Sequence, residues 1–151
     1  MKPKSMELDK LDWRILEILQ DNARITNTEL GKQVGLSQPA ITARIRQLEE
    51  QGVIESYAAR INHRLVGRDI SAFIRIRTSH AQIPECLKVF EARSEVIEAH
   101  RITGEDCFVV RVVVAHMTQL EATIDALAKF GPVTTSIVLA SYPQKKISHG
   151  K

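Results

Sequence analysis

The chain has 151 residues, of which 44% are hydrophobic and 26% charged, and its net charge is +3 with a pI near 9.0. These values predict one mid-sized or two small folded domains and exclude an intrinsically disordered chain. They also argue against a membrane protein, because apolar runs such as 112–115 are far shorter than the roughly 20 residues that a membrane helix needs.

Two further features indicate a cytoplasmic protein. The N-terminal MKPKSMELDKLD has charges but no apolar segment after them, so we expect no secretory signal. Cys86 and Cys107 have no CxxC spacing, which predicts free buried thiols and no metal site.

The distribution of charge does not by itself indicate a nucleic-acid partner. Residues 1–60 hold nine Lys/Arg and nine Asp/Glu, whereas residues 61–151 hold twelve and nine. A prediction of DNA binding must therefore depend on where individual charges lie.

The first 35 residues predict two helices. Asp9 is a suitable N-cap for the first, with Asp12 in its first turn. Thr26 and Glu29 have the spacing of a capping box for the second helix, which Gly35 ends. The predicted inner stripe of the first helix consists of Leu8, Leu11, Ile15, Ile18 and Leu19.

The segment 36–52, LSQPAITARIRQLEEQG, predicts a third helix. Ser37 is a suitable N-cap, Pro39 fits the first turn, and Gly52 ends the helix. Helical spacing places Ile41, Ile45 and Leu48 inward. Two helices joined by a short turn with glycine predict a helix-turn-helix.

The opposite side of this third helix is small, polar and basic, which suits the major groove of DNA. Arginine can bind guanine or phosphate in bidentate fashion, and we expect no acid close to the two arginines. The alternative is an ordinary solvated face of a helix bundle. The predicted DNA-contacting residues are Ser37, Gln38, Pro39, Thr42, Arg44, Arg46 and Gln47.

After Gly52, the β-branched segment 53–61 predicts a strand or small wing, which completes a domain over 1–61. The polar segment 62–69 is the predicted linker. Residues 70–142 then predict a second domain, followed by a polar tail over 143–151.

The second domain alternates strands and helices in the order βαββαβ, which predicts a ferredoxin-like α+β fold. We expect strands over 70–77, 96–103, 107–115 and 133–141. The first helix begins near Pro84 and the second begins with a Thr118–Glu121 capping box. Their predicted inner residues are Ile83, Leu87 and Phe90 in the first, and Leu120, Ile124 and Leu127 in the second.

The strand over 107–115 is apolar on both faces, whereas helices in this architecture cover only one face of the sheet. The other face therefore needs a cover. The same sheet of a second subunit is the simplest cover, and a two-fold DNA operator also favours a dimer.

Three stretches carry a resemblance to a known family: LDKLDWRILEILQDNAR, LGKQVGLSQPAITARIRQLEEQGVIESYAA and TGEDCF. From Leu8 to about Tyr142 the chain resembles the Lrp/AsnC, or feast/famine, transcription regulators. The resemblance implies a winged helix-turn-helix domain followed by a RAM-type ferredoxin-like domain. It also implies binding to double-stranded DNA as homodimers, which often assemble into octamers.

The resemblance further implies an effector, typically an amino acid, in a cleft between subunits, with no other cofactor. A glycine turn exposes amides to a carboxylate, and an acid can hold an ammonium group. The alternative is a plain turn with solvated acids. Many family members have an aspartate three positions after the glycine, followed by an aromatic residue. This chain has Cys107 at that position, followed by Phe108, and its Asp106 stands one place earlier. The implied effector residues are Thr103, Gly104, Glu105, Asp106, Thr134 and Ser136.

Three other functions fit parts of the pattern. The chain could wrap DNA as an architectural protein without an effector, or it could be a sensor whose third helix no longer binds DNA. It could also be a tetrapyrrole-handling enzyme, because siroheme decarboxylases are similar to this family in fold. Against this, its histidines form no pair with metal-ligand spacing, and no catalytic motif occurs. These histidines are His63, His80, His100, His116 and His149.

Overall fold

A computed structural model describes residues 7–150 of the chain. Residues 1–6, which belong to the segment used to predict the absence of a secretory signal, and Lys151 of the predicted tail lie outside the described residues. The described chain forms two compact units, one from 7–59 with 143–150 and the other from 60–142. No helix within 7–150 is long and apolar enough to cross a membrane.

The first unit has three helices, α1 (Lys10–Asp21), α2 (Asn27–Val34) and α3 (Gln38–Glu50). The predicted cap of α1 is confirmed: Asp9 accepts the backbone N–H of Asp12 at 2.8 Å, and Asp12 accepts that of Asp9 at 3.1 Å. The predicted stripes meet in one core except at Leu11, since Leu16 and not Leu11 packs against that core. The fully buried residues of this core are Ile15, Leu30, Ile41 and Leu48.

The strand predicted after Gly52 is not present: none of residues 53–61 is in a strand. Val53 and Ile54 pack against the helical core instead, and both backbone N–H groups donate to the carbonyl of Leu48, at 2.9 and 3.1 Å. A strand needs a neighbouring strand for its backbone hydrogen bonds. Within the described part of this unit there is no strand that could pair with residues 55–59.

The second unit has the predicted order βαββαβ: β1 (Ile70–Ile76), α4 (Ile83–Ala92), β2 (Val96–Arg101), β3 (Phe108–Val114), α5 (Met117–Ala128) and β4 (Val133–Ile137). The sheet is antiparallel with strand order β2-β3-β1-β4. Both helices pack on one face, where Phe90 and Phe108 meet edge to face at 5.2 Å between ring centroids.

Three local predictions in this unit are wrong. Cys86, not Leu87, is buried on α4, since Leu87 is 49% exposed. The N-terminus of α5 is capped by Gln119 and not by a Thr118–Glu121 box, because Gln119 Oε1 accepts the N–H of Ala115 at 2.9 Å. The second and fourth strands are also shorter than predicted, ending at Arg101 and Ile137.

The two faces of β3 differ in burial and composition. Val112 and Val114 belong to the core beneath the helices. On the opposite face, which we call the open face, Val109 and Arg111 are half-buried and Val113 is 3% exposed. This face is therefore only partly apolar, because Arg111 donates to Glu98 at 2.9 Å. Residues of the predicted linker line a groove together with Val113 and Arg111 of this face.

Candidate nucleic-acid interface and effector region

A tight turn sets α3 against α2. Thr26 Oγ1 accepts the N–H of Glu29 at 3.1 Å at the start of α2, which is the part of the predicted capping box that the described residues show. Gly35 ends α2 with φ of +76°, a conformation that favours glycine. A Cβ on Gly31 would lie 2.5 Å from the carbonyl oxygen of Leu36, so this close approach also requires glycine.

One side of α3 is exposed and combines polar, small apolar and charged groups. We call it the outer surface of α3, and five of the seven predicted DNA-contacting residues lie on it. Its residues are Gln38, Pro39, Thr42, Ala43, Arg46, Gln47 and Glu50. Ser37 occupies the N-cap position and is exposed, but its side chain does not make the predicted capping bond.

Arg44 does not share this surface as a free charge. Its Nη1 donates to Asp9 at 2.8 Å and to Asp12 at 2.7 Å. The expectation that no acid lies close to it is therefore wrong, since the two carboxylates belong to the N-cap and the first turn of α1. The hydrogen bonds to Asp9 and then Asp12 raise the pKa of Arg44. The pKa of Asp9 lies below its usual value, chiefly because of the N–H of Asp12 and then because of Arg44.

Thr42 lies at the centre of a side-chain hydrogen-bond cluster between α2 and α3. Its hydroxyl donates to the carbonyl of Gln38 at 2.9 Å. It accepts from Asn27 Nδ2 at 3.0 Å and from Gln38 Nε2 at 3.3 Å. Sequence spacing alone gives no sign that Asn27 reaches α3, because the contact spans 15 positions.

Arg46 remains accessible although it has an acidic neighbour. Its Nε donates to Glu50 at 2.6 Å, and its side chain is 76% exposed. The expectation that no acid lies near the arginines is therefore wrong here too. Close by, the hydroxyl of Tyr57 donates to Glu49 at 2.8 Å. Burial, and then this hydrogen bond, raise the pKa of Tyr57 to about 12.

The predicted effector turn is exposed and is held by Arg75 of β1 and by Arg77, which follows the end of β1. Gly104 has φ of +115°, which permits the sharp reversal between β2 and β3. Arg77 forms an ion pair with Glu105, and Arg75 Nε lies 3.9 Å from an oxygen of Asp106. Cys107 Sγ donates to the carbonyl of Thr78 at 3.0 Å, which fixes the end of the turn.

Arg75 lies next to both the turn and the predicted effector residues on β4. Thr134 is paired directly with Arg75 between β4 and β1, and Ser136 is paired with Phe73. Residues opposite each other in a ladder project from the same face. The turn, Thr134 and Ser136 are therefore brought to the same side of the open face, together with Arg75, which the sequence pattern did not predict.

Within residues 7–150, no group of three or more His, Cys, Asp or Glu is placed to hold a metal ion. Cys86 is buried, and burial raises the pKa of its thiol. Glu95 is a structural acid: burial raises its pKa, but hydrogen bonds from its own backbone N–H, Thr123 and Arg93 outweigh that effect and lower it.

Comparisons with known proteins agree with this geometry. Residues 8–55 match the winged helix-turn-helix DNA-binding family, and residues 71–147 match the Lrp/AsnC ligand binding domain. The chain belongs to the Lrp/AsnC family of transcription regulators. Its DNA-binding and ligand-binding regions thus correspond to the two folded parts of the chain.

Individual Lrp/AsnC proteins resemble it over most of their length. The HTH-type transcriptional regulator YezC of Bacillus subtilis, itself uncharacterised, is 39% identical over 89% of this chain and 95% of its own. The leucine-responsive regulatory protein of Rhizobium meliloti is 40% identical over 77% and 76%. A transcriptional regulator of Neisseria meningitidis in complex with L-Met has a TM-score of 0.84 at 29% identity, covering 95% of this chain and 97% of its own.

Proposed function

We propose that the chain is a sequence-specific regulator that binds operator DNA through the outer surface of α3. The observation that supports this best is the composition of that surface. Gln38 and Gln47 bring amide groups, and Arg46 is 76% exposed. Amide and guanidinium groups on a helix can hydrogen-bond base edges in the major groove.

We infer that the turn and the adjacent β1–β4 edge form an amino-acid effector site. Arg75 offers a guanidinium for a carboxylate, and Glu105 or Asp106 offers a carboxylate for an ammonium group. Thr134 and Ser136 add hydroxyl groups on the same side. The regulator of Neisseria meningitidis with bound L-Met supports this class of effector.

We further propose that the protein is a homodimer formed through the open face of the sheet, and that octamers are a further assembly of it. Phe73 and Ile97 are 40% and 43% exposed there, and large apolar side chains exposed on one face favour an interface. A dimer would bury them and place two α3 helices for a two-fold operator. The proposal assigns the chain a cytoplasmic location, no cofactor and no catalytic residue.

Charge placement disfavours a purely architectural role. Arg44 is paired with two acids and Arg46 has Glu50 beside it, so α3 offers little unbalanced positive charge to phosphates. Binding without sequence preference depends mainly on such charge. The architectural function would therefore need a different surface.

Fluorescence anisotropy tests the proposed function directly. The purified protein is titrated against the duplex upstream of its own gene and against a scrambled duplex, with and without the twenty amino acids. We expect selective binding that the amino acids shift. Equal binding to both duplexes would overturn the sequence-specific function, and selective binding that ignores every amino acid would overturn the effector site alone.

A further inference from the structure

The hydroxyl of Thr42 has no hydrogen-bonding capacity left for DNA. A threonine hydroxyl has one donor and two acceptor positions. Here the donor is used by the carbonyl of Gln38, and the two acceptor positions are used by Asn27 and Gln38 Nε2. Thr42 is nevertheless exposed on the outer surface of α3. What it can offer to a base is therefore its methyl group.

The neighbours of this methyl group are small and apolar. Pro39 and Ala43 are exposed on the same surface as Thr42. Threonine and alanine methyl groups suit contact with the C5 methyl of thymine, which projects into the major groove. A shallow patch of this kind favours thymine over the other bases.

The same cluster orients Gln38. One Nε2–H of Gln38 is held by Thr42, and among the described residues its other N–H and its Oε1 have no partner. One donor beside one acceptor is the set that binds adenine N7 and N6. Guanine presents two acceptors at that edge, so the Oε1 of Gln38 would face an acceptor there.

We infer that the Asn27–Thr42–Gln38 cluster makes this part of α3 specific for A·T base pairs. Gln38 binds adenine, and the Thr42 methyl contacts a thymine methyl. Asn27 is a positioning residue, because its amide holds the Thr42 hydroxyl away from the bases. The inference rests on the proposed binding of DNA by α3 and adds the base pair that α3 selects.

Two substitutions of Thr42 separate the methyl from the hydroxyl. Wild type first selects duplexes from a random-sequence library, and anisotropy then measures binding to the selected duplex. Thr42→Val keeps a methyl group and loses the hydroxyl, so it should keep the preference for thymine. Thr42→Ser keeps the hydroxyl and loses the methyl, so it should lose that preference.

Base analogues test the same contacts from the DNA side. Replacing the contacted thymine by uracil removes only the C5 methyl. This replacement should weaken DNA binding by wild type and by Thr42→Val but not by Thr42→Ser. Replacing the contacted adenine by 7-deazaadenine removes N7. This replacement should weaken DNA binding by wild type roughly 5- to 150-fold and binding by Gln38→Ala much less.

The role of Asn27 needs a readout other than folding. Asn27→Ala should reduce discrimination between thymine and uracil while the melting temperature stays close to that of Gln33→Ala, an exposed control on α2. If Asn27→Ala discriminates as wild type does, Asn27 does not position Thr42.

The outcomes distinguish this inference from the proposed function. If wild type enriches no motif, the sequence-specific function fails and this inference fails with it. If wild type enriches a motif but Thr42→Ser remains as sensitive to uracil as wild type, the motif stands and the A·T inference is overturned.

Discussion

The guanidinium of Arg44 on α3 donates to the carboxylate of Asp12 on α1 at 2.7 Å. The side chains of Arg44 and Asp12 are 30% and 17% exposed, so this pair is partly shielded from water. A residue that composition would assign to DNA instead ties the first helix to the third. Arg46, by contrast, is 76% exposed on the outer surface of α3, where we propose that it contacts DNA.

Replacing each arginine by alanine separates these functions. Arg44→Ala should destabilise the first unit by about 1 kcal/mol, because it removes a partly buried ion pair with two carboxylates. Arg46→Ala breaks an exposed pair and should change stability by less than about 0.5 kcal/mol. Its effect should be on DNA, weakening binding by about 1–3 kcal/mol if it contacts a base.

Thermal unfolding and anisotropy on one operator duplex would measure both variants. A phosphate-bound Arg46 would give a uniform loss across sequences and a lower salt slope. If Arg46→Ala binds every duplex as wild type does, the assignment of the outer surface of α3 is wrong. If Arg44→Ala melts as wild type does, its ion pairs do not stabilise the unit.

The lowered pKa of Asp9 makes stability depend on pH on the acid side. Because the folded pKa is below the unfolded value, the charged carboxylate stabilises the fold above the usual pKa of Asp. That contribution is lost as pH falls through the folded pKa. Asp9→Asn keeps a good N-cap residue but removes the charge, so its melting temperature should fall less between pH 6 and 3.

Melting curves of Asp9→Asn and of Glu55→Gln would check this dependence. Glu55 is exposed and has no ion pair among the described residues, so its variant should follow wild type. If the melting temperature of Asp9→Asn falls with pH as much as that of wild type, other carboxylates are responsible for the acid dependence.

Much of this fold follows from local sequence signals, because a cap and a hydrophobic period act within a few residues. Asp9, Gly35 and the alternation of β1 are of this kind. The chain does not reveal contacts that span many positions, such as Arg44 with Asp9, 35 residues apart. It also does not reveal the rotation of a helix over a sheet, which decides that Cys86 is buried and Leu87 is not.

Prediction of the candidate site is limited in the same way by contacts between distant positions. The outer surface of α3 follows from helical spacing, and the effector turn follows from the family resemblance. The use of the Thr42 hydroxyl depends on Asn27 of another helix, and the place of Arg75 depends on strand register. The segment 53–59 has the composition of a strand, but the described residues of its unit include no partner strand.

Aspartate substitutions on the two faces of β3 should have different effects, one on folding and the other on the proposed dimer. Val112 is fully buried beneath the helices, so Val112→Asp should cost about 3 kcal/mol or more and unfold the second unit. Val109 is half-buried on the open face, so Val109→Asp should stay folded but weaken the proposed dimer. Circular dichroism reports folding, and light scattering after gel filtration reports mass. A folded Val109→Asp of unchanged mass would place the dimer interface elsewhere.

Arg75 should be needed for the amino-acid response and not for DNA binding. Arg75→Gln removes the guanidinium next to Asp106 and Thr134 and should weaken the effector about 10- to 100-fold. Arg75→Lys keeps the charge without the planar fork and should be intermediate. Anisotropy with increasing amino acid measures this, with Lys88→Gln as a surface control. An unchanged response in Arg75→Gln would exclude Arg75 as a ligand for the carboxylate.

The C-terminal segment 143–150 should be detectable through Trp13, the only tryptophan in the chain. The amide of Gln20 on α1 donates to the carbonyl of Ile147 at 2.8 Å and accepts its N–H at 2.9 Å. The ring centroids of Trp13 and His149 are 5.4 Å apart and nearly perpendicular. Ending the chain at Tyr142 should therefore expose the indole, shift its emission to longer wavelength and increase quenching by acrylamide.

Gln20→Ala should give part of the same change, because it removes both hydrogen bonds to Ile147 while leaving the segment in place. Lys145→Ala is the matched control, since Lys145 is exposed and makes no ion pair among the described residues. Emission that is identical in wild type, Gln20→Ala and the shortened chain would mean that the segment does not lie on α1 in solution. A change in the shortened chain alone would show that contacts other than those of Gln20 hold it there.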